Sequence, residues 1–220
     1  MSEMIGADFE YIKKLLNAGL ISSPCLDLGA GGGGEGNNCK SLLKNAGLKY
    51  IGTDMYPGEG VNIVANFEDS EIEINKVFVN KFPSILVLNV LEHTFDPIRV
   101  LDNVFSILEP NGTCVIITPT VWPIHDYPID CWRINPTFYK EYCKRRSVDL
   151  LEEYFEYVGF YNVKTNLNKI AHTYVLPKPK KNKFGLMYSK TIHKLFNTYG
   201  RSMSCASHIA VGAVIKNSVK

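Results

Sequence analysis

Six of the eight residues in GAGGGGEG, positions 29 to 36, are glycine, and the run follows directly on PCLDL, which carries one acid, Asp27. Bare backbone after a short apolar run lets a ligand approach main-chain N–H groups at the start of a helix. The spacing Gly29-x-Gly31-x-x-Gly34 satisfies a dinucleotide-binding turn, so a nicotinamide or flavin enzyme is one reading. Two acids oppose it. Asp27 stands where such a turn keeps an apolar strand residue, and Glu35 would repel a pyrophosphate while suiting the helix dipole. Asp54, closing YIGTD, can accept hydrogen bonds from ribose hydroxyls of either kind of cofactor.

Two histidines are candidates for a general base: His93 in LEH and His125 in HDYPIDCWR. In the second stretch Asp130 can orient a base or bind an acceptor hydroxyl, and Arg133 can grip a carboxylate or phosphate. Trp122, Tyr127 and Trp132 can wall an acceptor site. Plainer roles compete with each. His93 can make a structural hydrogen bond at a helix start, Asp130 and Arg133 can pair at i, i+3, and Trp132 can be core. Glu92 beside His93 leaves too few ligands for a metal, and none is expected.

These residues need elements to hold them, and the apolar pattern supplies alternating strands and helices. Residues 24–28 read as a strand, GNNCKSLLKNAG as a helix stopped by Gly47, LKYIGTDM as a second strand and GVNIVANF as a short third. SEIEINKVFVNKF reads as a helix and PSILVLNV as a fourth strand. FDPIRVLDNVFSIL is a helix capped by Asp96 with Pro97 in its first turn; EPNG is a turn and TCVIITP a fifth strand. PTFYKEYCKRRSVDLLEEYFEYVGF reads as one long helical region ending near Gly159, and FYNVKTNL and SHIAVGAVIK as two last strands, an antiparallel pair. Nearly all-apolar strands alternating with helices predict a parallel sheet covered on both faces. Its ligands belong at the C-terminal strand ends, here residues 29–36, 54, 65–68, 89–93 and 119 onward.

With 220 residues, 45% hydrophobic, the chain can bury one full core, so a single domain over 1–220 is expected, with a basic insertion at about 177–201 between the last two strands. Six cysteines without a CxxC pair suggest reduced thiols, and the lack of a long apolar run or signal-peptide core suggests a cytoplasmic protein. The net charge of +2 hides an asymmetry: no acid follows Glu156, while eleven Lys and Arg do, leaving 13 basic against 22 acidic side chains before them. An anionic small-molecule acceptor fits that end of the chain. A solvated lysine-rich insertion fits equally, and a peripheral membrane contact stays open.

LDLGAGGG, with Asp27, Gly29, Gly31 and Gly33, resembles the first motif of class I S-adenosylmethionine-dependent methyltransferases. YIGTDMYPGEGVNIVANFED is similar to the second and third motifs, VLNVLEHTFDPIRVLDNVFSILEPNGTCVIITP to the fourth strand through the fifth, and HDYPIDCWRINP to a subgroup associated with surface-polysaccharide gene clusters. The likeness runs over about residues 20–165 in unbroken order. It implies an α/β, Rossmann-like fold with a mostly parallel seven-stranded sheet, an antiparallel last strand and helices on both faces.

For the cofactor, S-adenosylmethionine leaving as S-adenosylhomocysteine, the resemblance implies that Gly29, Ala30, Gly31 and Gly33 wrap the methionine part and Asp27 holds its amino group. Asp54 takes the ribose, Met55 the adenine face, Asn66 and Phe67 the adenine edge, and Asn89 and Val90 lie beside the methionine. Family members often carry Asp where Asn66 stands. NVLEH occupies the place where Asn/Asp-Pro-Pro-aromatic would signal transfer to a nucleic-acid amine, which argues against a nucleic-acid substrate. The resulting expectation is an O-methyltransferase acting on a small polar or anionic acceptor of surface-glycan biosynthesis, such as a sugar, a nucleotide-linked precursor or a phosphorus-containing decoration. A nicotinamide oxidoreductase and a non-catalytic protein of the same fold are the alternatives.

Overall fold

Strands buried on both faces must alternate their side chains between two helix layers, and this chain does so. The computed structural model describes residues 2–31, 35–122, 124, 129–159 and 209–218. Its elements are α1 (Ser2–Asn17), β1 (Cys25–Leu28), α2 (Glu35–Asn45), β2 (Tyr50–Asp54), β3 (Ile63–Val64), α3 (Glu71–Val77), β4 (Phe82–Leu88), α4 (Pro97–Ile107), β5 (Leu108–Val121), α5 (Pro136–Arg146), β6 (Asp149–Leu150), β7 (Glu156–Gly159) and β8 (Ile209–Lys216). Leu26, Leu28, Ile85, Val87, Cys114 and Ile116 pack on one side with Ile74, Val100, Leu101, Val104 and Tyr139 from α3, α4 and α5. Cys25, Leu86, Val115 and Ile117 pack on the other with Tyr11, Ile12, Leu15, Cys39 and Leu43 from α1 and α2. Each fully buried Leu or Ile stabilises by roughly 1.5–3 kcal/mol.

The sheet order is β3-β2-β1-β4-β5-β8-β6, with β7 also pairing β8. Neighbours from β3 to β5 are parallel, and β8 is antiparallel to β5, β6 and β7. β6 and β7 lie end to end beside β8, against Lys216–Ile215 and Gly212–Ile209 respectively. They form one interrupted column, so the sheet has the seven-column width and the antiparallel strand that the sequence suggests. The chain reverses direction across the sheet between β1 and β4, which opens a crevice at their C-terminal ends.

Two sequence expectations are corrected. The long helix after Pro136 stops at Arg146: three basic residues fill its last turn, Ser147 takes a left-handed φ of +55°, and its N–H bonds back to Cys143. Beyond it, Leu150 and residues 156–159 pair with β8, and Phe155 is fully buried. Sheet pairing overrides the helical look of LLEEYFEYV. EPNG is also not a free turn, because β5 begins at Leu108, opposite Phe82, and Asn111 absorbs the irregularity at φ +64°. FYNVKTNL and the insertion at 177–201 lie outside the described residues, while Asp96 caps α4 as expected, accepting from the Arg99 N–H at 3.0 Å. Among the described residues no helix is long and apolar enough to cross a membrane.

At β2, a Cβ on Gly52 would stand 2.2 Å from the Gly60 carbonyl oxygen and 2.7 Å from the Ala30 Cβ. Gly52→Ala is therefore expected to destabilise the fold by about 1–3 kcal/mol through overpacking, read as a lowered denaturation midpoint.

Candidate functional site

The crevice between β1 and β4 is narrow because Gly29 has no side chain. Its φ is +77°, and a Cβ there would meet Val90 Cγ2 at 2.8 Å. The loop is clipped to β2: the Gly29 and Ala30 N–H groups donate to the Thr53 carbonyl at 2.9 and 3.2 Å. The Gly31 N–H donates to Asp54 Oδ2 at 3.1 Å, and the Tyr56 N–H donates to Asp54 Oδ1 at 3.0 Å. A carboxylate offers about four lone-pair sites, so Asp54 keeps acceptor capacity for a diol. Gly33 lies outside the described residues.

Asp27 is 2% exposed, on the face shared with α1 and α2. The Tyr50 hydroxyl donates to its Oδ2 at 2.8 Å. Burial pushes the Asp27 carboxyl up to about 7, against the lowering effect of the Tyr50 bond. An ammonium group reaching it would return the charge balance that burial removes. A cradle that a Cβ would fill, a buried carboxyl and a second carboxylate at the end of β2 fit the methionine and ribose parts of the cofactor that the resemblance implies.

Met55 is half-exposed beyond β2. The Asn66 Oδ1 accepts from the Glu68 N–H at 3.0 Å and its Nδ2 donates to Asp69 at 3.2 Å, while the Phe67 ring is buried, 5.4 Å from that of Phe78. Asn89, at φ +53°, donates through Nδ2 to Asp8 Oδ2 at 3.1 Å, and Val90 faces Gly29. Asp8 belongs to α1, so the N-terminal helix reaches the crevice. Nothing in the sequence signals that contact, nor the partnership of Tyr50 with Asp27.

His93 closes a short 3-10 turn, Leu91–His93, after β4. Its Nδ1 lies 2.7 Å from the Ile129 carbonyl oxygen. A carbonyl only accepts, so Nδ1 carries the proton and Nε2 of the neutral ring carries the lone pair. Glu92, 1% exposed, has Oε1 3.9 Å from Nε2, and its main-chain carbonyl accepts from the Cys131 N–H. The loop after β5 is thereby bound along residues 92–94, with the Trp132 indole N–H donating to the Thr94 carbonyl at 3.0 Å.

Asp130 and Arg133 form a two-pronged ion pair at 2.5 and 2.6 Å. Arg133 also donates through Nε to the Trp122 carbonyl and through Nη1 to that of Trp132. These two residues thus brace their own loop, the plainer of the roles the sequence allowed. Trp132 is half-exposed rather than core. His125 and Tyr127 lie outside the described residues.

The family model described as a methyltransferase domain matches residues 8–165. A crystal structure of a SAM-dependent methyltransferase from Archaeoglobus fulgidus is similar at 14% identity and TM-score 0.56, over 96% of this chain and 94% of the other. The phosphoethanolamine N-methyltransferase 2 of Haemonchus contortus, in complex with S-adenosyl-L-methionine, is similar at 12% identity and TM-score 0.52, over 96% of this chain and 52% of the other. The [4+2]-cyclase SpnF is as similar, at 11% identity and TM-score 0.56, over 97% and 82%. Such likenesses carry the fold alone, since a cyclase shares it. No curated protein matches the sequence significantly.

Three outcomes follow from the crevice. Asp27 has its folded value raised above the ordinary one of about 3.9, so the folded state holds the extra proton between about pH 4 and 7. Stability of the ligand-free protein should fall as pH rises through that window, and Asp27→Asn should flatten the slope in denaturant titrations. If an ammonium selects the carboxylate, affinity for S-adenosylhomocysteine should rise about tenfold per pH unit up to about 7 and then level, a profile that Asp27→Asn removes. Gly29→Ala, strained by its φ and blocked by Val90, should cut that affinity at least about tenfold in calorimetry.

Proposed function

Since the chain belongs to the methyltransferase-domain family and takes S-adenosylmethionine as its methyl donor, we propose that it methylates a hydroxyl oxygen of a small polar, anionic acceptor. The acceptor class is a sugar, a nucleotide-linked precursor or a phosphorus-containing group of surface-glycan biosynthesis. The observation that carries the oxygen chemistry is the His93 tautomer, with Nδ1 held by the Ile129 carbonyl. NVLEH in place of an Asn/Asp-Pro-Pro-aromatic signature supports a hydroxyl over a base amine. The glycan setting is supported by the resemblance of HDYPIDCWRINP, and the anionic acceptor by the basic residues after Glu156, Arg133 being already engaged by Asp130.

The glycine loop and Asp27 hold the methionine end of the donor, beside Asn89 and Val90, and Asp54 holds the ribose. Met55 would cover the adenine, and Asn66 and Phe67 would hold its edge. When bound, this donor supplies an electrophilic methyl carbon next to a thioether leaving group. His93 accepts the acceptor's hydroxyl proton at Nε2, and the imidazolium that results is balanced by the buried Glu92 carboxylate 3.9 Å away. Trp122 and Trp132 wall the acceptor, and residues 129–132, fastened along 92–94, keep the His93 ring from turning.

With a radiolabelled methyl donor and a panel of sugar nucleotides and sugar phosphates, label should enter a hydroxyl as a base-stable ether. His93→Ala should lower turnover by about 10²–10⁴-fold while leaving S-adenosylhomocysteine affinity within about twofold. Unchanged turnover would remove His93 from the mechanism, and the same loss in His125→Ala would transfer the role to that residue.

A further inference from the structure

One position on the buried side of α4 is polar. The helix buries Pro97, Val100, Leu101, Val104 and Ile107, and with them Asn103, which is 2% exposed. Asparagine is a poor helix former, and a buried amide is costly unless its hydrogens are used. The Asn103 Nδ2 donates to the Phe67 carbonyl at 2.8 Å and to the Asp69 carbonyl at 2.9 Å. Both carbonyls belong to the loop that joins β3 to α3. That loop also reaches back: Glu68 Oε1 accepts from the Phe95 and Asp96 N–H groups at 2.9 and 2.8 Å, just ahead of α4. Residues 67–69 are thus fastened to α4 from both sides.

The fastening carries over to Asn66. Its Nδ2 donates to Asp69 Oδ1 at 3.2 Å, its Oδ1 accepts from the Glu68 N–H at 3.0 Å, and its main-chain carbonyl accepts from the Asp69 N–H at 3.0 Å. Turning the amide over would set its oxygen against the Asp69 carboxylate and its N–H groups against the Glu68 N–H. An unconstrained asparagine can exchange donor for acceptor by such a turn, and this one keeps a single polarity. Adenine carries an amino group at C6, which donates, where hypoxanthine carries an oxygen, which accepts. A locked amide tells the two apart, and an amide free to turn does not.

We propose that Asp69 and Asn103 are positioning residues for purine selectivity. Asp69 holds the Asn66 amide in one orientation, and Asn103 holds the main chain of Phe67 and Asp69, so that the loop takes a 6-amino and not a 6-oxo purine. Both act through Asn66, and the inference rests on the reading that places Asn66 at the adenine edge.

The test is calorimetric titration of the full chain with S-adenosylhomocysteine and with S-inosylhomocysteine, in which an oxygen replaces the C6 amino group. The native chain should bind the adenosyl compound about tenfold more tightly or better. Asp69→Ala, at an exposed position, and Asn103→Leu should each bring that ratio to about threefold or less. Val104→Ala, a cavity in the same helix, should lower the melting temperature and leave the ratio unchanged, which separates selectivity from stability. Asp69→Ala decides the matter even where Asn103→Leu does not fold: a native ratio in that variant overturns the proposal. Loss of the ratio in Asn66→Ala, with its retention in Asp69→Ala and Asn103→Leu, would overturn the two positioning roles while keeping Asn66 at the adenine edge. Equal binding of the two compounds by the native chain would remove Asn66 from that edge as well.

Discussion

Everything at the site depends on how closely the ends of β1 and β4 approach. The chain reverses across the sheet there, and the distance is set by a residue with no side chain, Gly29, lying against Val90. Adding one carbon would push the two strand ends apart. It would also disturb the hydrogen bonds by which Thr53 holds the glycine loop and Asp54 holds Gly31. The crevice is therefore a property of packing along three neighbouring strands, and the carboxyl groups of Asp27 and Asp54 are placed by the same contacts that close the sheet.

Asp27 shows what that placement costs. A carboxyl on the buried face of a central strand accepts from the Tyr50 hydroxyl, and burial still pushes its pKa up to about 7. For stability alone an apolar residue would serve better at this point of β1. A buried acid whose charge is restored by a cationic ligand is a reason for keeping it there. His93 and Glu92 repeat the theme on the β4 side. There a ring nitrogen and a buried carboxylate lie 3.9 Å apart, on a turn locked by the loop after β5.

What the sequence revealed was what is local. The glycines, Asp54 and the Asp96 cap announce themselves by residue type and by position after an apolar run, and a mostly parallel sheet follows from the alternation of strands and helices. What it concealed was long-range. Tyr50 meets Asp27 across 23 residues of sequence, and Asp8 meets Asn89 across 81. Neither pair leaves a spacing to recognise. The segment after Arg146 misled because Leu151, Phe155 and Val158 recur as a helix would have them, while pairing with β8 draws residues 149–150 and 156–159 into strands. Arg133 resembled an anion grip until its fork was found on Asp130, a pairing that i, i+3 spacing permits but does not require.

A β1–β4 crevice shaped for S-adenosylmethionine and not for a dinucleotide must tell the two ligands apart in solution. Calorimetric titration of the full chain with S-adenosylhomocysteine and, separately, with NAD tests it most directly. One equivalent of S-adenosylhomocysteine should bind, and NAD should give no heat beyond dilution. Saturable binding of NAD with none of S-adenosylhomocysteine would contradict it.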